Sequence, residues 1–200
     1  AAMLALAKHH GWPLAGYNVA GHPVQARILE EVARWTDVAP GNIALAVDGC
    51  TAVCYGLPLR AMALAYARLG ASSEPAPRRI VAAMLAHPFL VAGTARLCTD
   101  LMSAWPGRVV AKVGAEGIYS AALPSLGLGL ALKVVDGETR TSGVALLEVL
   151  RQVLAQLSPD QPVGLDIPEL TRHGRQPIKN TRGTITGEIR PAGTLRFFAA

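Results

Sequence analysis

Lys112 stands in the middle of RVVAKVGAEGIYS, residues 108–120, a segment that otherwise has the composition of a buried β-strand. Such a lysine either points outward from an exposed face or edge, where it protects the sheet against aggregation, or lies in a site. In a site, a partly desolvated amine can accept a proton near neutral pH, and Gly114 would let a ligand approach the backbone closely. The spacing Lys-x-Gly alone favours the outward lysine and leaves both interpretations open.

Asp48, Cys50 and Cys54 form a second group of side chains with chemical capacity, in the segment DGCTAVC. Two thiols at Cys-x3-Cys spacing offer two soft ligands for a metal ion. A zinc site needs three or four ligands, and the nearest histidines in sequence stand at no diagnostic distance. Both thiols, and Cys98 in ARLCTDLM, could instead be small buried hydrophobic residues. The spacing is therefore compatible with a metal site but does not establish one.

Several common catalytic signatures are absent from the 200 residues. The sequence has no Gly-x-Ser-x-Gly nucleophile elbow, zincin motif, phosphate-binding loop or dinucleotide fingerprint. The two glycines of LGLGL belong to a strand pattern, because no helix opens directly after them. The sequence therefore contains no motif that indicates a nucleotide-dependent reaction.

Composition and cysteine count indicate the class of protein. Of the 200 residues 51% are apolar and 16% are charged, and no apolar run approaches the roughly 18 residues of a membrane span. A chain of this length suits one domain, 1–200, with a sizeable core. Three cysteines, an odd number, without a secretory signal predict reduced thiols and a cytoplasmic location. Because AAMLALAKHHGW has the pattern of a helix interior, we expect an N-terminal part of the domain to lie outside this sequence.

The net charge of +5 is concentrated near the C-terminus. Residues 168–196 carry six basic side chains against two acidic ones. A surface for single-stranded nucleic acid would interleave aromatic residues with these charges, but only Phe197 and Phe198 follow the stretch. We therefore expect a solvated basic surface and no nucleic-acid partner.

Hydrophobic spacing predicts the helices that would position these residues. Behind Pro23, the apolar side chains Val24, Ile28, Val32 and Trp35 recur at helical intervals. Further helices are predicted from the start of the chain to about His10, over GLPLRAMALAYARLG, PRRIVAAMLAHP and ARLCTDLMSAW, and over 138–157, with a Pro/Ser-rich loop at 71–77. An apolar strand over 42–47 precedes DGCTAVC, which is therefore predicted to connect a strand to a helix.

Three apolar runs, RVVAKV, GIYSAAL and LGLGLALKVV, follow one another with only short turns between them. Parallel pairing would require crossover connections of a dozen or more residues, so these runs must form an antiparallel meander. The helix over 138–157 can cover one apolar face of this meander, and a final strand near GTITGEIR ends the chain. The predicted fold class is α+β, an antiparallel sheet with helices packed on its faces.

An ordered set of segments resembles the C-terminal part of the L-asparaginase II family, the third structural class of asparaginases. The set begins with AAMLALAKHHGW and HPVQARILEEVA, continues through AVDGC, GLPLRAMALAYARL and HPFLVAGTARLCTDLM, and ends with AKVGAEGIYSAALPSLGLGLALKVVDGETR. It runs from residue 1 to about residue 145 in the family's order. The resemblance implies a fold like that of the serine β-lactamases and penicillin-binding proteins, hydrolysis of L-asparagine to L-aspartate and ammonia, and a homodimer.

The resemblance also implies roles for individual residues. Family members use two Ser–Lys pairs, in which a serine attacks the side-chain amide carbon while lysines relay protons. The lysine of the second pair precedes a Gly-Ala-Glu-Gly segment and corresponds to Lys112, with Gly114 close to it. Cys50 corresponds to a cysteine ligand of a zinc ion near the substrate. Asp48 corresponds to a carboxylate that receives the substrate's α-ammonium group, and Cys98 to a further cysteine near the site.

The same resemblance places the other site residues before Ala1. In the family, a Cys-Ser-Gly-Lys-His segment with two further zinc ligands comes directly before the helix that opens this chain, and both catalytic serines lie earlier still. Ser103, Ser120 and Ser125 do not stand at matching positions, so none is predicted to be the nucleophile, and the 200 residues alone would be inactive. Two alternatives remain: a non-catalytic binding or scaffold module of the same fold, and a β-lactamase-like serine hydrolase that acts on another amide.

Overall fold

The computed structural model describes residues 1–157 and 167–198, and within them the protein is α+β, as the sequence predicts. The helices are α1 (Ala2–His9), α2 (Pro23–Thr36), α3 (Leu59–Ala71), α4 (Pro75–Ala86), α5 (Pro88–Ala92), α6 (Leu97–Ala104), α7 (Thr139–Leu157) and α8 (Pro168–Gly174). The strands are β1 (Ala44–Val47), β2 (Val53–Gly56), β3 (Val110–Val113), β4 (Ile118–Leu123), β5 (Leu128–Lys133), β6 (Gln176–Lys179) and β7 (Ile185–Ile189). None of the described helices is long and apolar enough to cross a lipid bilayer.

Strands β3, β4 and β5 form the antiparallel meander that the three apolar runs predict. The register pairs Lys112 with Ser120 on β4, and Ala121 on β4 with Leu130 on β5. Because β4 is the central strand, β3 and β5 are the two edges of this sheet. Lys112 therefore lies on an edge strand.

One face of the meander forms the centre of the main hydrophobic core. Helices α6 and α7 cover this face, and their side chains Leu101, Leu146 and Leu150 are fully buried in one cluster with Tyr119 and Ala121 of β4. The apolar stripe of the segment 138–157 therefore covers the meander, as its helical spacing predicts.

The opposite face of the meander lies under α3, which approaches so closely that only small residues fit. A Cβ atom on Gly129 of β5 would overlap the carbonyl oxygen of Ala63 and lie 2.5 Å from the backbone nitrogen of Ala67. A Cβ atom on Gly70 of α3 would lie 2.9 Å from the Cβ of Ala122. This packing therefore requires the glycines where the helix and the strands touch.

The segment DGCTAVC forms the turn and part of the second strand of a hairpin, so the predicted connection from a strand to a helix is wrong. Strands β1 and β2 pair antiparallel, the N–H of Asp48 donates to the carbonyl of Ala52 at 2.9 Å, and Thr51 has a left-handed φ of 69°. Helix α3 begins only at Leu59. By its sequence pattern Gly56 belongs to the helical segment GLPLRAMALAYARLG, which leaves too short a run before it to show a strand pattern.

Two other boundaries differ from the prediction. The Pro/Ser-rich loop predicted over 71–77 is shorter, because α4 already begins at Pro75 with proline in its first turn. The strand near GTITGEIR is β7, and it pairs with β6 in a separate two-stranded sheet. The proline in β6, QPIK, conceals that strand in the sequence pattern.

Helix α8 is attached to α6 by a cluster of charged and polar side chains. Oδ2 of Asp100 accepts a hydrogen bond from Nη2 of Arg172 at 2.5 Å and lies 2.6 Å from Nε2 of His173. Burial alone would raise the pKa of the Asp100 carboxyl, but the hydrogen bonds and charges of Arg172 and His173 outweigh it and hold this pKa below its usual value. The cluster therefore joins α8 to α6, the helix that also carries Cys98.

Candidate functional site

Lys112 lies at the open edge of the meander. Its side chain is exposed, and its Nζ donates a hydrogen bond to the carbonyl oxygen of Val113 at 2.7 Å. Val110 and Ala111, which precede it on β3, are fully buried. The strand is therefore anchored in the core while its lysine points outward, as position alone favours, and the amine stays accessible to a ligand.

Ser120 faces Lys112 across the ladder, a neighbour that the sequence pattern does not single out. The N–H of Gly114 donates to the carbonyl of Ile118 at 2.9 Å, and hydrogen-bonded pairs alternate along the strands from that point, so Lys112 and Ser120 are the next such pair. Their side chains project from the same face, and Ser120 is only 2% exposed. The length of the GAEG turn sets this register and is the sequence signal that could have identified Ser120.

Cys98 lies on α6 beside the strand that carries Lys112, and it is fully buried, as its place in an apolar helix predicts. The N–H and C=O of Val113 point to the open edge of β3, because the hydrogen bonds to β4 alternate along the strand. There the Cys98 Sγ accepts a hydrogen bond from the Val113 N–H at 3.2 Å. The Cys98 thiol and the Lys112 amine therefore hydrogen-bond to the N–H and the C=O of the same residue, Val113.

Tyr119 provides a second contact to the same thiol. Its phenolic oxygen lies 2.8 Å from the Cys98 Sγ, and the residue is 3% exposed. Burial, and then the neighbouring Cys98, raises the pKa of the Tyr119 phenol well above its usual value, and the same two causes raise the pKa of Tyr66 on α3. Both phenols are therefore neutral at physiological pH, and the Tyr119 phenol acts there as a hydrogen-bonding group.

Asp48 and Cys50 meet in the turn between β1 and β2. The Cys50 Sγ lies 3.6 Å from Oδ2 of Asp48, whose Oδ1 accepts a hydrogen bond from the following backbone N–H at 2.8 Å. Asn18 holds the turn from outside by donating to the carbonyl of Thr51 at 3.1 Å. Asp48, Cys50 and Cys54 are all exposed, so the alternative of buried thiols is wrong for both of these cysteines.

The structure brings Asp48 to Cys50, and Lys112 to Cys98 through one shared residue, but no hydrogen bond or ion pair joins the two groups within residues 1–157 and 167–198. In that same part of the chain, no group of three or more His, Cys, Asp and Glu side chains is arranged to hold a metal ion. Cys50 and Asp48 offer an exposed thiol and a carboxylate, which suit zinc, but they form only part of a ligand set.

Two apolar grooves open along α2, α3 and α4, with volumes of about 530 and 520 Å³. Trp35, Ala65 and Tyr66 line both, and Ile28 and Val32 from the amphipathic face of α2 line the first. No residue of the predicted site lines either groove. Tyr66, which lines both grooves, is close enough to Cys98 for that thiol to raise its pKa, so the grooves approach the candidate site at this residue.

The comparison with known families covers both parts of the candidate site. Residues 1–191 match the L-asparaginase II family, a range that contains Asp48, Cys50, Cys98 and Lys112 and runs past residue 145, where the resemblance of the individual segments ends. No curated protein matches the chain. Since the family match spans nearly the whole sequence, the chain belongs to the L-asparaginase II family.

Proposed function

We propose that the protein is an amidohydrolase that releases ammonia from L-asparagine to give L-aspartate. The observation that carries this proposal is the family match over residues 1–191. The placement of Lys112 supports it, because the core anchors the backbone of this strand while the amine of the lysine stays accessible to a substrate. The proposed nucleophile is a serine outside these 200 residues.

The role proposed for Lys112 is proton transfer. The oxygen of the nucleophilic serine attacks the side-chain amide carbon, and its proton passes to a lysine amine. The lysine returns a proton to the amide nitrogen as the carbon–nitrogen bond breaks, so that ammonia leaves and an acyl-serine ester remains. Water then hydrolyses the ester to aspartate. For this chemistry the Lys112 amine must leave the Val113 carbonyl, a rotation that an exposed side chain makes within nanoseconds.

The role proposed for Asp48 is recognition of the substrate's α-ammonium group. Its carboxylate is exposed and is oriented by a hydrogen bond from the backbone of the β1–β2 turn. A charge-assisted hydrogen bond from an ammonium group to such a carboxylate is stronger than a bond between neutral groups. Asp48 would therefore favour amino-acid amides over simple amides.

We further propose that Cys50 is one ligand of a zinc ion, with the remaining ligands outside this chain. Its exposed thiol is a soft donor, and the neighbouring Asp48 carboxylate adds negative charge that favours a cation. When bound, zinc would supply positive charge beside the substrate. Cys50 would hold the ion close to Asp48, the proposed substrate-binding residue.

A serine β-lactamase-like fold, a homodimer, a cytoplasmic location and the absence of a nucleic-acid partner complete the proposal. All four residues of β1 are exposed, with Val47 at 77%, which supports an interface on that strand. The three cysteines are free, which fits a reducing compartment. In the basic C-terminal hairpin, Arg175 and Arg190 both face Glu188, which leaves less positive charge for an anionic polymer.

The test is ammonia release by the protein that the complete gene encodes, with L-asparagine, L-glutamine and a β-lactam supplied separately. We expect saturable release of ammonia from L-asparagine. Hydrolysis of the β-lactam without ammonia release would favour the β-lactamase-like hydrolase. Binding of L-asparagine without turnover would favour the non-catalytic module.

A further inference from the structure

The contacts around the buried thiol of Cys98 extend from the core to the candidate catalytic lysine. We propose that Tyr119 is a positioning residue for Lys112, acting through the Cys98 sulfur and the backbone of Val113. The catalytic meaning of this proposal rests on the proposed amidohydrolase function, whereas its geometry does not.

The first step concerns the edge of β3. An edge strand has no neighbouring strand for its outward N–H and C=O groups, so its position depends on other partners. Val113 has both partners: its N–H donates to the Cys98 Sγ at 3.2 Å, and its C=O accepts from the Lys112 Nζ at 2.7 Å. Because Val113 directly follows Lys112, the placement of its backbone also sets the position from which the lysine amine moves to the substrate.

The second step concerns the thiol itself. Tyr119 lies directly opposite Val113 in the β3–β4 register, so its ring lies beside Val113 on the core face of the sheet. From there its hydroxyl reaches the Cys98 Sγ at 2.8 Å. The sulfur is then held by two groups, a phenol from β4 and a backbone N–H from β3. Without the phenol, the side chain of Cys98 would be free to take another rotamer, and the Val113 N–H would lose its acceptor.

Burial makes this contact one that the protein cannot replace with water. Cys98 is 0% and Tyr119 3% exposed, and a buried polar group that loses its partner carries the full cost of its desolvation. The raised pKa of the phenol agrees with this, because burial and the nearby sulfur both favour its neutral form.

Tyr66 provides a matched control. It is a second phenol whose pKa is raised by burial and by Cys98. Within the described residues, however, the Cys98 sulfur is hydrogen-bonded to Tyr119 and Val113 and not to Tyr66. Tyr66 is half-buried whereas Tyr119 is buried. Removal of either hydroxyl deletes one phenolic oxygen near the same thiol, and only one of the two deletions breaks the proposed connection.

The experiment compares Tyr119→Phe with Tyr66→Phe in the protein that the complete gene encodes. We expect Tyr119→Phe to lower kcat for ammonia release about tenfold with KM within about twofold, and to speed hydrogen exchange at the Val113 amide about tenfold. Tyr66→Phe should change each quantity by less than about twofold. A loss of activity equal in both variants, or a lower kcat with unchanged exchange at Val113, would overturn the proposal.

A second pair of variants tests the sulfur. Cys98→Ser keeps a side-chain group that can hydrogen-bond to both the phenol and the Val113 N–H. Cys98→Ala has no side-chain group that can bond to either of them. We expect Cys98→Ser to retain several-fold more kcat and slower Val113 exchange than Cys98→Ala, and equal behaviour of the two would contradict the connection. If the wild-type protein releases no ammonia, the proposed function fails. The exchange rates of the four variants then decide by themselves whether Tyr119 holds Val113.

Discussion

The close approach of α3 to the meander makes Gly129→Ala a severe substitution. A methyl group there would overlap the carbonyl oxygen of Ala63 and come within 2.5 Å of the nitrogen of Ala67. Both obstacles are backbone atoms of a helix, which cannot rotate away as a side chain can. The helix or the strand would have to move, and overpacking of this kind costs about 1–3 kcal/mol, occasionally more. We expect a value near the upper end, about 3 kcal/mol of unfolding free energy.

Gly187→Ala is the matched control, since Gly187 also lies within a strand, β7. A Cβ atom there would meet only Cδ1 of Ile178, at 3.7 Å, an ordinary van der Waals contact. This variant should change stability by less than about 1 kcal/mol, with stabilisation through the less flexible unfolded chain as the expected direction. Urea unfolding followed by circular dichroism measures both variants. If Gly129→Ala is as stable as Gly187→Ala, the described packing of α3 on β5 is wrong.

Three further predictions concern charges and ligands. Cys50→Ser should remove bound zinc from the protein that the complete gene encodes while Cys54→Ser keeps it, and unchanged metal content by elemental analysis would count against Cys50 as a ligand. Asp48→Asn should raise KM for L-asparagine several-fold more than it lowers kcat, and an effect on kcat alone would exclude the recognition role. Asp100→Asn should lower the melting temperature at neutral pH. Because the folded-state pKa of Asp100 lies below its unfolded value of about 3.9, the stability it contributes is full above that value and disappears as pH falls through the folded pKa. A difference between wild type and variant that persists below that range would contradict the stabilising role of Asp100 in the cluster that joins α8 to α6.

The meander could be predicted from the sequence because local features determine it. Three apolar runs joined by short turns permit only antiparallel neighbours, and the apolar spacing of the segment 138–157 indicates the helix that covers them. The edge position of Lys112 follows from the same argument, since it lies in the first of the three runs. The outward lysine that its position alone favours agrees with the exposed side chain of the structure.

The contacts between elements could not be predicted in the same way. The bond between Tyr119 and Cys98 joins residues on different elements, 21 positions apart, and nothing in either local pattern signals it. The requirement for glycine at Gly129 arises from a helix some 60 residues earlier in the chain, while the local sequence LGLGL shows only a strand with glycines. The hairpin at Cys50 was concealed because Gly56, the last residue of β2, has the sequence context of the helix that follows.

The central claim is that Lys112 transfers protons in the hydrolysis of L-asparagine, and the kcat of Lys112→Met tests it most directly. Lys133→Met is the control, because Lys133 is also an exposed lysine at a meander edge whose Nζ donates to backbone carbonyls, those of Glu116 and Val134, each at 2.7 Å. General acid–base groups contribute about 100-fold to 10,000-fold to rate. We therefore expect Lys112→Met to lose at least about 100-fold in kcat and Lys133→Met less than about twofold, with both variants folded. Full activity of Lys112→Met would contradict the account.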